Sequence, residues 1–154
     1  MSIDISEIDS VHLAEPGVIT ILPEGSDGIR GGAYSSTSLS LAKVLTRENL
    51  PFKYLTKPER LFEQRGAEWF GPALLIASNI FEVYPDVVKL LLDSIKVHVA
   101  QLYPSVENPK IKMSFIISKT KSKTNAEIVF EGGADSFSEL LSTIEKVCAE
   151  KSGE

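Results

Sequence analysis

Residues 110–118 read KIKMSFIIS and residues 126–131 read AEIVFE. In the first stretch Ile111, Met113, Phe115 and Ile117 point one way, and Lys112, Ser114 and Ser118 the other. Ile128 and Phe130 repeat the alternation in the second. A period of two is that of a half-buried strand, so the pair predicts a hairpin over Lys110–Ser118 and Ala126–Glu131. Upstream, Val87, Val88, Leu91, Leu92, Ile95, Val99 and Leu102 recur at threes and fours, with Asp86, Lys89, Asp93 and Lys96 on the polar side. That spacing predicts a helix over Pro85–Tyr103, which Pro104 stops. Downstream, Ser136-Phe137-Ser138-Glu139 matches a capping box. It opens a predicted helix, Phe137–Ala149, whose stripe of Phe137, Leu140, Leu141, Ile144, Val147 and Cys148 asks for burial.

Working back from this block, the apolar run Val18–Leu22 predicts a strand buried on both faces. Residues 23–37 form a long loop containing Gly25, Gly28, Gly31 and Gly32. Ser38 is placed to cap a helix with Leu39, Leu41, Ala42 and Leu45 on its apolar side. Phe52–Leu55 predicts a short strand, and Thr56-Lys57-Pro58-Glu59 a short helix that Gly66 and Gly71-Pro72 punctuate. The alternation of Leu74, Ile76, Ser78 and Ile80 predicts a strand over Ala73–Phe81. Residues 1–16 carry Ile3, Ile5, Ile8 and Val11 among acidic residues and predict an arm or a short helix ahead of one domain, 17–150. The fold class is α/β, in the form of an α+β sandwich: a mixed sheet of about five strands covered by about three helices, ferredoxin-like in the C-terminal half.

Composition narrows the setting. A chain of 154 residues that is 43% hydrophobic and 24% charged has the material for a core. Its net charge of −5 disfavours non-specific attraction to nucleic acid or anionic lipid. The longest uncharged stretch, Trp69–Phe81, contains Pro72 and falls short of the roughly 20 residues that a membrane span needs. One cysteine, Cys148, and no signal-like N-terminus predict a cytoplasmic protein.

Residue types that carry catalysis are present, but not in catalytic patterns. His98 lies one helical turn after Ser94, with no nucleophile-elbow motif to complete a triad. His12 stands in the N-terminal arm. Cys148 sits on an apolar stripe, and no ligand-spaced His/Cys cluster exists. The sequence therefore predicts no catalytic residue, no metal site, no cofactor and no enzyme. The loop 25–32 is the alternative site: Gly28, Arg30, Gly31 and Gly32 between a strand and a helix suit a phosphate or nucleotide, although neither the P-loop nor the dinucleotide fingerprint is matched.

A binding role is the better fit. Trp69, Arg65, Arg60 and Tyr34 belong to residue types that anchor interfaces. Lys119, Lys121 and Lys123 concentrate positive charge at a hairpin tip, where they would steer an acidic partner. No aromatic residue interleaves these lysines, which argues against nucleic acid.

The order of elements resembles the small effector-associated α/β domains of bacterial conflict and antiviral systems, called effector-associated constant components. The resembling stretches are Leu39–Leu45, Leu55-Thr56-Lys57-Pro58-Glu59, Leu74–Phe81, Asp86–Tyr103 and the closing hairpin and helix. The resemblance implies a non-catalytic adaptor that links a sensor to an effector by protein–protein contact, here with the effector as a separate chain. A toxin-immunity or inhibitor protein is the alternative in which the partner is a toxin. Self-association is compatible with either.

Overall fold

The computed structural model describes residues 1–9, 14–24, 33–63, 66–119 and 124–150. Its strands are Ser2–Asp9 (β1), Ile19–Ile21 (β2), Tyr34–Ser35 (β3), Phe52–Tyr54 (β4), Leu61–Phe62 (β5), Trp69–Ala77 (β6), Ile111–Ser118 (β7) and Thr124–Gly132 (β8). Its helices are Ser36–Arg47 (α1), Ile80–Val83 (α2), Val87–Leu102 (α3) and Phe137–Ala149 (α4). A 3₁₀ turn, Ala134–Ser136, leads into α4. No helix among the described residues is long and apolar enough to cross a membrane.

Two crossover units build the main sheet. β2 leads through α1 to β4, which lies parallel and adjacent to it, and β6 leads through α3 to β7 in the same way. The units join where β2 and β6 run antiparallel. β8 returns antiparallel to β7, and β1 closes the far side antiparallel to β8 over all eight of its residues. The mixed sheet therefore has six strands in the order β1-β8-β7-β6-β2-β4, with β3 and β5 pairing separately. The α+β class is as expected, with one more strand in the main sheet. The C-terminal half differs from a ferredoxin-like split unit, because β6 and β7 pair directly with no strand between them.

The helices α1, α3 and α4 lie side by side over one sheet face, α1 against β6 and α4 against β8. Beneath them Ile19, Ile21, Leu74, Ile76, Phe115, Ile117, Ile128 and Phe130 form one apolar core with Leu41, Leu45, Leu91, Ile95, Leu140 and Ile144. Each side chain of this size is worth about 1.5–3 kcal/mol when it leaves water, so this layer is what holds the sheet to the helices.

Local chemistry explains where the elements differ from expectation. The helix expected to be capped by Ser38 starts earlier, because Ser35 is the cap and its Oγ accepts from the Ser38 amide at 3.2 Å. It ends with Asn49 at φ 57°, where Leu50 N–H returns to Leu45 O at 2.9 Å, a tight C-terminal turn that directs the chain into β4. No helix follows Thr56-Lys57-Pro58-Glu59; that segment leads to β5 instead. Ala73–Phe81 divides: the strand begins four residues earlier at Trp69 and stops at Ala77, and Ile80–Val83 is helical. The box at Ser136 is not made, because Ser136 sits inside the 3₁₀ turn and its side chain makes no cap bond. Residues 2–9 are neither an arm nor a helix but a full strand of the main sheet. Glu15-Pro16-Gly17-Val18 then turns the chain towards β2, with Gly17 at φ 75° and a side-chain position that would meet Val83 Cγ1 at 2.9 Å.

Candidate interaction edges

The two edges of the sheet carry the most distinctive surfaces. β1 is eight residues long and, among the described residues, has β8 on one side only. Its register places Ile3 beside Phe130 and Ile5 beside Ile128, so both project from the helix-covered face. The helix layer stops short of this edge: Ile5 is 56% exposed and Met1 62%. Asp4 and Glu7 are exposed along the same strand, which carries no basic residue. An open strand of this length presents unpaired amides and carbonyls to any chain that can align with it.

The opposite edge is β4. Phe52 and Tyr54 share rows with Ile19 and Ile21 and so lie on the helix side. Between them and α1 opens a groove of about 420 Å³, lined by Leu39, Ala42, Lys43, Thr46, Phe52 and Tyr54. Its wall is mostly hydrocarbon, with the Lys43 ammonium as its one charged group. On the other face of β4, Lys53 pairs with Glu15 at 2.5 Å.

A third concavity lies between α3 and the start of α4. It consists of adjoining clefts of about 360 and 310 Å³ that share Lys96, Ala134 and Asp135. Lys89 and Lys96 alternate there with Asp93, Glu107 and Asp135, so no single sign of charge dominates.

The residues expected to bind a partner are dispersed. Trp69 is 1% exposed and belongs to the core, its ring edge-on to His98 with centroids 6.2 Å apart. Tyr34 is fully buried, and its hydroxyl donates to Thr56 O at 2.8 Å and accepts from Thr56 N at 3.0 Å. Both are corrections: the aromatic rings anchor this fold's interior and present no contact surface. Arg60 is exposed, and its carbonyl accepts from Tyr34 N at 2.9 Å. Lys119 reaches Glu150 at 3.5 Å. Arg65, Lys121, Lys123 and the loop residues Gly28, Arg30, Gly31 and Gly32 lie outside the described residues, as does His12. The edge residues Ile3 and Ile5 were missed as a surface, although the alternation of Ile3 and Ile5 with Asp4 and Ser6 was there to be read. Ile8, which breaks that period, disguised it.

Cys148 and the Ser35–Ser38 pair are held in unreactive settings. Burial pushes the Cys148 thiol up to about 12, far from a thiolate at neutral pH. The hydroxyls of Ser35 and Ser38 are buried and bonded to each other at 2.9 Å. Among the described residues no three His, Cys, Asp or Glu side chains come together in a group able to hold a metal ion.

His98 is half-buried, and its Nε2 has no hydrogen-bond partner. Burial, and secondarily the Arg47 guanidinium, lower its pKa below the usual 6.5. The unfolded chain then binds more protons than the folded one between the lowered value and about 6.5. Stability should therefore hold above about pH 6.5 and fall on acidification through that window. Urea midpoints at pH 7.5 and 5.5 check this: the acid-induced drop should shrink in His98→Gln, and an equal drop in both proteins would assign it to other groups.

No family model, curated protein or solved structure matches this chain.

Proposed function

We propose that this chain is a non-enzymatic protein-interaction module, an adaptor or regulator of a partner protein, which engages that partner along β1. The observation that carries the reading is the open eight-residue edge with Ile5 more than half exposed. A partner strand added there gains main-chain hydrogen bonds, and pockets for alternate side chains set its specificity. Asp4 and Glu7 would disfavour acidic strands and favour one that brings Lys or Arg among apolar residues. The burial of Cys148 and of the Ser35–Ser38 pair supports the same reading, since both hold potential nucleophiles away from substrate. The resemblance to effector-associated domains makes a separate effector chain of an antiviral system the class of partner to test first.

The test is affinity capture from the native host with the wild-type chain and with Ile5→Lys, quantified by mass spectrometry. Burying an isoleucine side chain contributes about 1.5–3 kcal/mol, so the variant should lose roughly tenfold or more of its partner. Its melting temperature should stay near that of the wild type, because Ile5 is largely exposed. A partner retained equally by both proteins would contradict the assignment of β1. A captured toxin whose activity the chain blocks would replace the adaptor by an immunity protein.

A further inference from the structure

We infer that the two open edges of the sheet are complementary to each other, so that the chain associates head to tail, β1 of one copy adding to β4 of the next. The inference rests on the reading of β1 as a contact surface and adds a second copy as a weak occupant of it, beside the foreign partner proposed above.

Strand direction allows it. β1 runs antiparallel to β8 and β8 to β7, so β1 and β7 share a direction. β6 is parallel to β7, β2 is antiparallel to β6, and β4 is parallel to β2. β1 and β4 therefore run in opposite directions at opposite edges. A second sheet set beside the first in the same orientation brings β1 antiparallel to β4, with both helix layers on one side. The sheet continues through the junction without a change of face.

Side-chain chemistry agrees. On the helix side, Ile3 and Ile5 of β1 arrive beside Phe52 and Tyr54 of β4. The groove of about 420 Å³ between β4 and α1 can take an isoleucine, and its Leu39, Ala42 and Phe52 walls offer hydrocarbon to it. Lys43 at the rim has no ion-pair partner among the described residues, and Glu7 of the incoming strand projects from the same face as Ile5. Lys53 and Arg47 are nearby in the chain but already paired, to Glu15 and Glu48. A two-fold arrangement of β1 against β1 would instead gather Asp4 and Glu7 of both copies with no cation on either strand. Charge thus selects the heterologous pairing, which leaves one free edge at each end and so propagates. Because β4 offers only three paired residues, each junction is small and its affinity low.

Sedimentation velocity of the full chain tests this. The wild type should gain mass as its concentration rises and lose it as salt is raised. Ile5→Lys spoils β1, and Thr46→Trp fills the groove at an exposed position of α1. Each variant alone should remain monomeric with a near-wild-type melting temperature. Mixed, they should form a one-to-one dimer and stop there, because the pair retains one sound β1 and one open groove. A wild type that stays monomeric throughout would overturn the inference, as would Thr46→Trp that still dimerises alone, which is the β1–β1 outcome. If the wild type is monomeric yet Ile5→Lys still abolishes capture of a foreign protein, head-to-tail assembly fails and the interaction module stands. If capture is also indifferent to Ile5→Lys, both fail.

Discussion

Trp69→Ala is expected to destabilise the fold by about 3–5 kcal/mol, the usual cost of emptying a buried aromatic site. That is a large part of the 5–15 kcal/mol that holds a typical domain together. The ring is 1% exposed at the start of β6, under α3, with His98 at its edge. Gly71 is what lets it lie there. A side chain at that position would place its first carbon 2.5 Å from Trp69 Cζ3 and 3.3 Å from Met113 Cβ. Gly71→Ala should therefore cost about 1–3 kcal/mol as an overpacking change. In the Trp69→Ala background most of that cost should vanish, because the atom it strikes is gone. Urea unfolding of the four proteins measures this coupling. A Trp69→Ala protein of unchanged stability that had lost its partner would restore the tryptophan to the surface.

Tyr34 should behave as a core residue in a second, separable way. Its ring packs edge-on against Tyr54 with centroids 5.0 Å apart, while its hydroxyl bonds both the amide and the carbonyl of Thr56. The hydroxyl thus ties the segment after β4 to the strand that leads into α1. Tyr34→Phe should cost about 1–2 kcal/mol, since the Thr56 amide loses its acceptor. Tyr34→Ala should cost about 3–5 kcal/mol, because the ring's volume goes as well. Thermal melts of the two variants separate the hydroxyl from the ring. Equal losses would mean that the hydrogen bonds contribute nothing beyond the packing.

Periodic elements were legible and punctuated ones were not. α3, α4 and the β7–β8 hairpin repeat at three to four or at two, because each buries one face, and that requirement writes itself into the residue order. β6 was harder. Gly71-Pro72 reads as a break, and proline inside a central strand removes a donor from the ladder. The fold resolves this with a bulge: Phe70 pairs with Lys112 and Ala73 with Ser114, so three steps on β6 face two on β7. The irregularity that accommodates Pro72 also seats Trp69, and neither follows from spacing alone.

The contact surface was misread for a related reason. Interfaces and cores are enriched in the same aromatic residues, so sequence cannot say whether Trp69 and Tyr34 face inward or outward. β1 is an edge only because β8 pairs with it, a contact between residues 115 or more positions apart, Ser2 and Glu131 among them. The groove likewise needs β4 brought beside α1 by the turn at Asn49. Edges are properties of topology, which no local stretch records.

Hydrogen exchange of the chain, free and bound to its captured partner, tests the central assignment most directly. Strand addition should slow exchange in residues 1–9, at the amides that face away from β8. Protection confined to the α3–α4 clefts, with residues 1–9 exchanging as in the free chain, would contradict it.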